Sequence, residues 1–421
     1  LRLLYNFAMY LFTPLVMLRL MARGMRYGDY HLRWRERFGT FASPRLNGCL
    51  WVHAVSVGEV NAAEPLVKAL MEAYPQAPLL VTTVTPTGSE RVRQLFGDSV
   101  YSVYLPYDLP FAVKRFLRSV RPRLAIIVET EIWPNLYFAC RRHGIPLLIA
   151  NARLSERSLR GYARMRSLVR KALRCVSHIA AQSRTDAARY RLLGAEPSQL
   201  TVCGNLKFDM PVPCDALAEG ISMRATWGAG RPVWIAASTH EGEELAVLQA
   251  HLEVLRRVPD ALLLIAPRHP ERFRAVEASV RSLGFQTATR SGDRLPSAHT
   301  QCFVIDAMGE LLRFFAASDV AFVGGSLVPI GGHNVLEPAA LGKPVLVGPF
   351  THNFEEITQA LLDAGAGARV AAAESLGEDV LHLLRDEKRR DHMGKEARKV
   401  FDSERGSVQR VMKLVDNLLQ E

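Results

Sequence analysis

The feature that most restricts the fold is an alternation of short apolar runs with helical segments, which stops once and then starts again. Residues 50–54, 78–83, 100–104, 124–128, 146–150 and 178–181 read as strands. Helical segments near 60–73, 88–95, 110–119, 134–142, 157–173 and 184–193 lie between them. Strands that alternate with helices of this length predict a parallel, doubly wound α/β sheet. Residues 203–230 carry Pro211, Pro213, Gly220, Gly228 and Gly230 and read as a linker. The pattern resumes at 233–237, 262–266, 302–306, 319–323 and 345–347, which predicts a second Rossmann-like domain. A polar helix near 405–420 closes the chain. A length of 421 residues exceeds one ordinary core and fits two domains. Ligands of such sheets sit beyond the carboxyl ends of the strands. Two such domains facing each other would enclose a deep cleft.

Composition narrows the partners. With 48% hydrophobic and 23% charged residues the chain is globular, and its formal charge of +11 implies an acidic partner. Nucleic acid, an anionic lipid surface and a phosphorylated substrate all qualify. The 18 Phe, 11 Tyr and 5 Trp form no basic-aromatic repeat, so nucleic acid is not expected. Cys49, Cys140, Cys175, Cys203, Cys214 and Cys302 show no CxxC spacing. That pattern argues against a disulfide scaffold or a zinc ribbon and fits a reducing cytoplasm.

Residues 3–18 carry no charge. As a helix they would extend roughly 24 Å, a little short of a hydrocarbon core of roughly 30 Å. The segment could span with Arg2 and Arg19 snorkelling, or lie in the interface. Beyond it Arg19, Arg23, Arg26, Arg33, Arg35 and Arg37 outnumber Asp29 and Glu36. A basic flank of this kind belongs on the cytoplasmic side, against anionic lipid. The plainer alternative is an N-terminal helix packed on its own domain.

Several loops at predicted strand ends could carry chemistry. In 321–349, Gly324-Gly325-Ser326 leaves a buried strand and Gly331-Gly332 precedes His333-Asn334 and a helix at 335–341. Glycine-rich turns that feed helix N-termini expose backbone N–H groups and suit phosphate. Glu337 lies in the first turn of that helix, where it can cap the helix or bind sugar hydroxyls. Glu59, after the first strand, is placed to accept a proton from a hydroxyl. Ser56-x-x-Glu59 also fits a capping box, as do Thr87-x-x-Glu90 and Ser238-x-x-Glu241. Glu129 and Glu131 follow the strand at 124–128 and either face a ligand or stabilise the helix opened by Pro134. The segment 238–244 begins like HExxH but has Glu244 at the last position, so it gives a zinc protease poor support. Arg268, after a strand, suits a phosphate or carboxylate, and Lys207, expected between the domains, could reach an anion.

Taken together, HAVSVGE (53–59), TPTGSER (85–91), ETEIWPN (129–135), NARLS (151–155), NLKFD (205–209), STHEGEE (238–244), PRHPERF (267–273), GGSL (324–327) and GGHNxLEP (331–338) closely resemble 3-deoxy-D-manno-octulosonic acid (Kdo) transferases. These are Gram-negative inner-membrane enzymes of lipid A–core assembly in lipopolysaccharide biosynthesis. The resemblance implies a GT-B glycosyltransferase with a membrane-associated segment at 1–22. It implies an acceptor domain at 23–210, a donor domain at 211–400 and a helix at 401–421 that crosses back to the first domain. It implies CMP-Kdo as donor and lipid IVA as acceptor, at the cytoplasmic face of the inner membrane with its anionic lipids. By resemblance Glu59 matches the general base. Pro267, Arg268, Met308, Gly309, Glu310, Asn334, Val335, Leu336 and Glu337 match CMP-contacting segments. Glu129, Glu131, Lys207 and Ser326 are further candidate ligand contacts. No cofactor or metal is expected. The rivals are a GT-B enzyme using a UDP-sugar with another lipid or wall acceptor, and a membrane-docked nucleotide-binding protein without turnover. A nicotinamide oxidoreductase is least favoured, because VSVGE stands where GxGxxG would follow the first strand.

Overall fold

The computed structural model describes residues 2–26, 33–42, 46–212, 215–292 and 295–420, with side chains omitted for 23–26. Asp29, Pro213, Cys214 and the side chains of Arg23 and Arg26 therefore lie outside the described residues. The chain forms two compact units, Leu1–Met210 together with Glu404–Glu421, and Pro211–Ser403.

The first unit holds β1 (Leu50–His53), β2 (Leu79–Thr83), β3 (Tyr101–Tyr104), β4 (Leu124–Val128), β5 (Leu147–Ala152), β6 (His178–Ala181) and β7 (Leu200–Val202). They form a parallel sheet in the order β3-β2-β1-β4-β5-β6-β7. Every residue of β1, β2, β4 and β5 is buried, which explains their largely apolar sequences; the polar exceptions His53, Thr82, Thr83 and Asn151 lie toward the carboxyl ends. The order reverses between β1 and β4, and sheets of this kind take ligands in the crevice at the carboxyl ends beside such a reversal.

The second unit repeats the plan with β8 (Val233–Thr239), β9 (Leu262–Pro267), β10 (Thr287–Thr289), β11 (Cys302–Val304), β12 (Val320–Val323), β13 (Val345–Val347) and β14 (Gly367–Arg369). Its order is β10-β11-β9-β8-β12-β13-β14, with the reversal between β8 and β12.

The outer strands β7, β10 and β14 carry no sequence signal, because each is three residues long and none of their residues is fully buried. The helix expected over 157–173 is two helices, Glu156–Ala163 and Arg166–Leu173. The expected linker at 203–230 is structured. It holds a 3-10 turn, Leu206–Asp209, and a helix, Ala216–Trp227. Gly220 does not break that helix; a Cβ there would meet Cβ of Ala316 at 2.5 Å, so the glycine permits close packing on the helix Leu311–Ala317. Lys207 accordingly belongs to the first unit.

The last helix, Ser407–Gln420, is amphipathic rather than simply polar. Val411 and Val415 are fully buried in the cluster that contains Val52, Leu66 and Leu70. The Asp209 carboxylate accepts the N–H groups of Gly406 and Val408, both at 2.6 Å, and so fixes the start of this helix.

At the other end, helix α1 (Arg2–Arg26) has a 21-residue stretch, Arg2–Ala22, long and apolar enough to cross a membrane. Leu3, Leu4, Phe7, Leu11, Phe12, Leu15 and Leu18 are exposed. Its polar residues dock on the first unit: Tyr5 Oη donates to Asp108 at 2.9 Å, Arg2 donates to Asn135 Oδ1 at 3.3 Å, and Asn6 Oδ1 accepts from Asn135 at 2.7 Å. The helix thus packs on its own domain through these polar residues, and its length and composition are compatible with membrane association.

Candidate active site

In the first unit, the β1 loop and the β4 loop bring three acids together. Glu59 sits in the first turn of the helix Val57–Ala73, and its Oε2 accepts the Val55 N–H at 2.6 Å. Burial pushes its carboxyl up to about 8, aided by the negative charges of Glu129 and Glu131; the Val55 and Ser56 hydrogen bonds oppose this. Burial and the Glu129 charge likewise raise Glu131 to about 7. Glu129 has φ +63° and Asn151, on the neighbouring strand, φ +53°. Adjacent left-handed residues without a glycine mark a site where backbone strain is tolerated. Asn151 is buried; its Oδ1 accepts the Leu206 N–H at 3.0 Å, and its Nδ2 is buried with no partner among the described residues. Lys207 follows in that turn, its own N–H held by Asn205 Oδ1 at 3.1 Å.

Two capping alternatives are decided here. Ser56 precedes the helix but makes no side-chain cap, and Glu59 reaches Val55 rather than the N-cap amide, so the reciprocal capping box is not formed. Thr87 lies inside its helix, where Thr85 supplies the cap, and Ser238 lies within β8. The device is therefore not repeated as the sequence pattern predicts. Glu129 and Glu131 do not cap the helix Pro134–Arg142 either. Asp108 does so, accepting the Asn135 and Leu136 N–H groups at 2.9 and 2.8 Å. Burial lifts Asp108 to about 6, against the pull of those bonds, Tyr5 and Arg2.

In the second unit, the Gly324-Gly325-Ser326 turn is not an open anion cradle. Fully buried Glu243, unnoticed in the sequence, accepts the N–H groups of Gly325, Ser326, Leu327 and His240 at 2.7, 3.0, 2.8 and 3.0 Å. Burial raises its carboxyl and those four donors oppose the rise. Ser326 is fully buried, and its hydroxyl donates to Val323 and accepts from Gly348 at 2.8 Å. Its side chain is thus committed to the scaffold. Glu244 pairs with Arg272 through two bonds, 3.0 and 2.6 Å, which ties the β8 loop to the β9 loop.

Around that frame lie the remaining candidates. Pro267 ends β9, and the side chain of Arg268 follows with no hydrogen bond or ion pair among the described residues. Its charge lowers His240 and His333 and, behind burial and Asn334 in influence, acts on Glu337. Asn334 Nδ2 donates to Glu337 Oε1 at 3.0 Å, while Asn334 Oδ1 accepts the Leu336 N–H at 3.1 Å. Capping thus falls to Asn334. Burial raises the Glu337 carboxyl, and Asn334 and Arg268 oppose it. The helix is short, Leu336–Ala340, with Val335 and Leu336 buried at its start. Met308 is exposed, Gly309 has φ +83°, and the Glu310 carboxylate is held by Arg290 at 2.8 Å and by Arg313. Among the described residues no group of three or more His, Cys, Asp or Glu is placed to hold a metal ion.

Two Rossmann-like units, with polar loops gathered at both switch points, define a GT-B glycosyltransferase. Residues 291–400 match the family of glycosyl transferases group 1. A solved glycosyltransferase from Rickettsia africae shares the fold, with a TM-score of 0.57 and 12% identity over 89% of this chain and 100% of that one. Residues 32–210 match the 3-deoxy-D-manno-octulosonic-acid transferase (kdotransferase) family. The 3-deoxy-D-manno-octulosonic acid transferase of Haemophilus influenzae is 41% identical, covering 100% of this chain and 99% of its own. That of Bordetella pertussis is 38% identical, covering 99% of each. The chain belongs to the Kdo transferase family.

Proposed function

We propose that this enzyme transfers Kdo from CMP-Kdo to lipid IVA, with inversion and with Glu59 as the general base. The acceptor hydroxyl oxygen attacks the anomeric C2 of Kdo and gives its proton to Glu59. The bond from C2 to the phosphate oxygen breaks, and its electron pair leaves with CMP. The observation that carries the base assignment is the Glu59 carboxyl, held up to about 8 beside a switch point and not used in a capping box. A carboxylate with a raised pKa is a stronger base once ionised.

The second unit takes the nucleotide in this reading. Pro267, Arg268, Met308, Gly309, Glu310, Asn334, Val335, Leu336 and Glu337 supply the contacts, with Glu337 at the ribose hydroxyls. Arg268, with no side-chain partner among the described residues, neutralises charge on the departing phosphate, so the mechanism calls for no metal or cofactor. Glu129, Glu131 and Lys207 contact the sugar or the acceptor. Helix α1 sets the enzyme at the cytoplasmic face of the inner membrane, among anionic lipids, where the acyl chains of the acceptor lie. Incubation of the full chain with lipid IVA and CMP-Kdo, read by mass, should give an acceptor heavier by Kdo. Transfer from a UDP-sugar instead would overturn the donor assignment.

A further inference from the structure

His240 and His333 face each other with their Nε2 atoms 2.7 Å apart. The rings are 3° from coplanar, with centroids 5.0 Å apart. That separation is close to the Nε2–Nε2 distance plus two ring half-widths. The imidazoles therefore lie edge to edge in one plane, an in-line N–H···N bond and not a face-to-face stack. One Nε2 carries the proton and the other accepts, so the two rings are locked in opposite tautomers.

The environment keeps the pair from becoming doubly charged. Burial pushes His333 down to about 3, with Arg268, His240 and His269 adding to the effect. Burial also lowers His240, with His269, Arg268 and Arg272 acting in the same direction and Glu244 against it. Two imidazolium rings would bring N–H against N–H; a neutral or singly protonated pair keeps the bond.

The bond extends to His333 a link between the two loops that Glu243 makes only as far as residue 327. Glu243 holds His240 N–H and residues 325–327. The following segment folds back, with Gly331 and Gly332 donating to the Gly325 carbonyl at 3.0 and 2.7 Å. Gly325 leaves the space the pair uses; a Cβ there would stand 3.0 Å from His333 Cδ2 and 3.5 Å from His240 Cδ2. His333 is bonded directly to Asn334, whose side chain organises Leu336 and Glu337. On the other side His269, next to Arg268, packs edge-on to His240 with centroids 5.2 Å apart. The pair thus bridges the loop of Arg268 and the segment 334–337.

We propose that His240 and His333 act as one hydrogen-bonded unit of positioning residues, holding Asn334 and Glu337 in register with Arg268 for the nucleotide of the donor. This rests on the reading that the second unit binds CMP. Titration calorimetry of the full chain in detergent with CMP tests it. His240→Ala and His333→Ala should each weaken CMP by about 10-fold, as expected for loss of one well-formed hydrogen bond. The double variant should be no weaker than either single, because both remove the same bond. His333→Gln, whose amide can still donate or accept, should bind within about 3-fold of the original. His333→Phe keeps the ring volume if alanine fails to fold, and it should bind as weakly as alanine. Wild-type affinity in folded His333→Phe or His333→Ala, or losses that multiply in the double variant, would overturn the proposal. Absence of CMP binding by the unaltered chain would overturn the donor reading along with it, a separate and distinguishable result.

Discussion

The carboxylate of Glu243 accepts the backbone N–H of Gly325 at 2.7 Å, so an acid of the protein itself occupies the turn that a glycine-rich pattern would assign to phosphate. Three further N–H groups converge on the same side chain. Glu243→Gln keeps the volume but leaves one acceptor oxygen in place of two. Urea unfolding should show a loss of about 3 kcal/mol, in the range for charge-assisted hydrogen bonds in a buried site. An unchanged midpoint would mean that the turn holds itself.

Glu59 gives a test in two variables. Glu59→Gln should lower kcat by about 100-fold or more while the CMP Kd stays the same, since the amide cannot accept the proton. Near-normal turnover would remove Glu59 as the base. In the unaltered enzyme, activity should rise with pH through about 8 as Glu59 ionises.

The same shift has a stability consequence of definite sign. The folded pKa is raised above the ordinary carboxyl value, so the native state holds a proton that the unfolded chain releases. The Glu59 contribution is therefore fully present below about 4.5 and is lost as pH rises through about 8. Glu59→Gln should raise the melting temperature at pH 9 relative to the original chain and change it little at pH 4. Equal effects at both pH values would contradict the burial of this carboxyl.

Arg268 has no partner among the described residues but sits near Glu337 and His333. Arg268→Ala should weaken inhibition by CMP by about 10- to 100-fold, the scale of a lost guanidinium–phosphate contact. Unchanged inhibition would take Arg268 out of the donor site.

Helix α1 presents Leu11 and Leu15 to the outside while Arg2, Tyr5 and Asn6 hold it to the first unit. Leu11→Glu with Leu15→Glu should abolish sedimentation with vesicles containing anionic lipid and leave CMP affinity intact. Undiminished vesicle binding would show that another surface makes the attachment.

Both sheets were legible because their central strands are buried on both faces and so are apolar over most of their length. The short edge strands β7, β10 and β14 were not, since each is three residues long and buries little, whereas the fourth edge, β3, is longer and legible at 100–104. Glu59, Arg268 and Glu337 could be picked out because each follows a strand or opens a helix in a recognisable segment. Asp108 and Glu243 could not. Each works at long range, 27 and 82 residues from a backbone group that it binds, and no local spacing reports such a partner. The His240–His333 contact spans 93 residues and was hidden for the same reason.

The burial of Val411 and Val415 has a consequence for the order in which the protein is made. The second unit is one continuous stretch, Pro211–Ser403, inserted into the first. A ribosome therefore releases everything the second unit needs before it releases the last helix of the first. The sheet of the first unit waits with its face beside Val52, Leu66 and Leu70 uncovered until residues 407–420 emerge. Domains ordinarily fold in the order in which they are synthesised. Here the unit that begins first is completed last, and it is the unit that carries the exposed apolar helix α1.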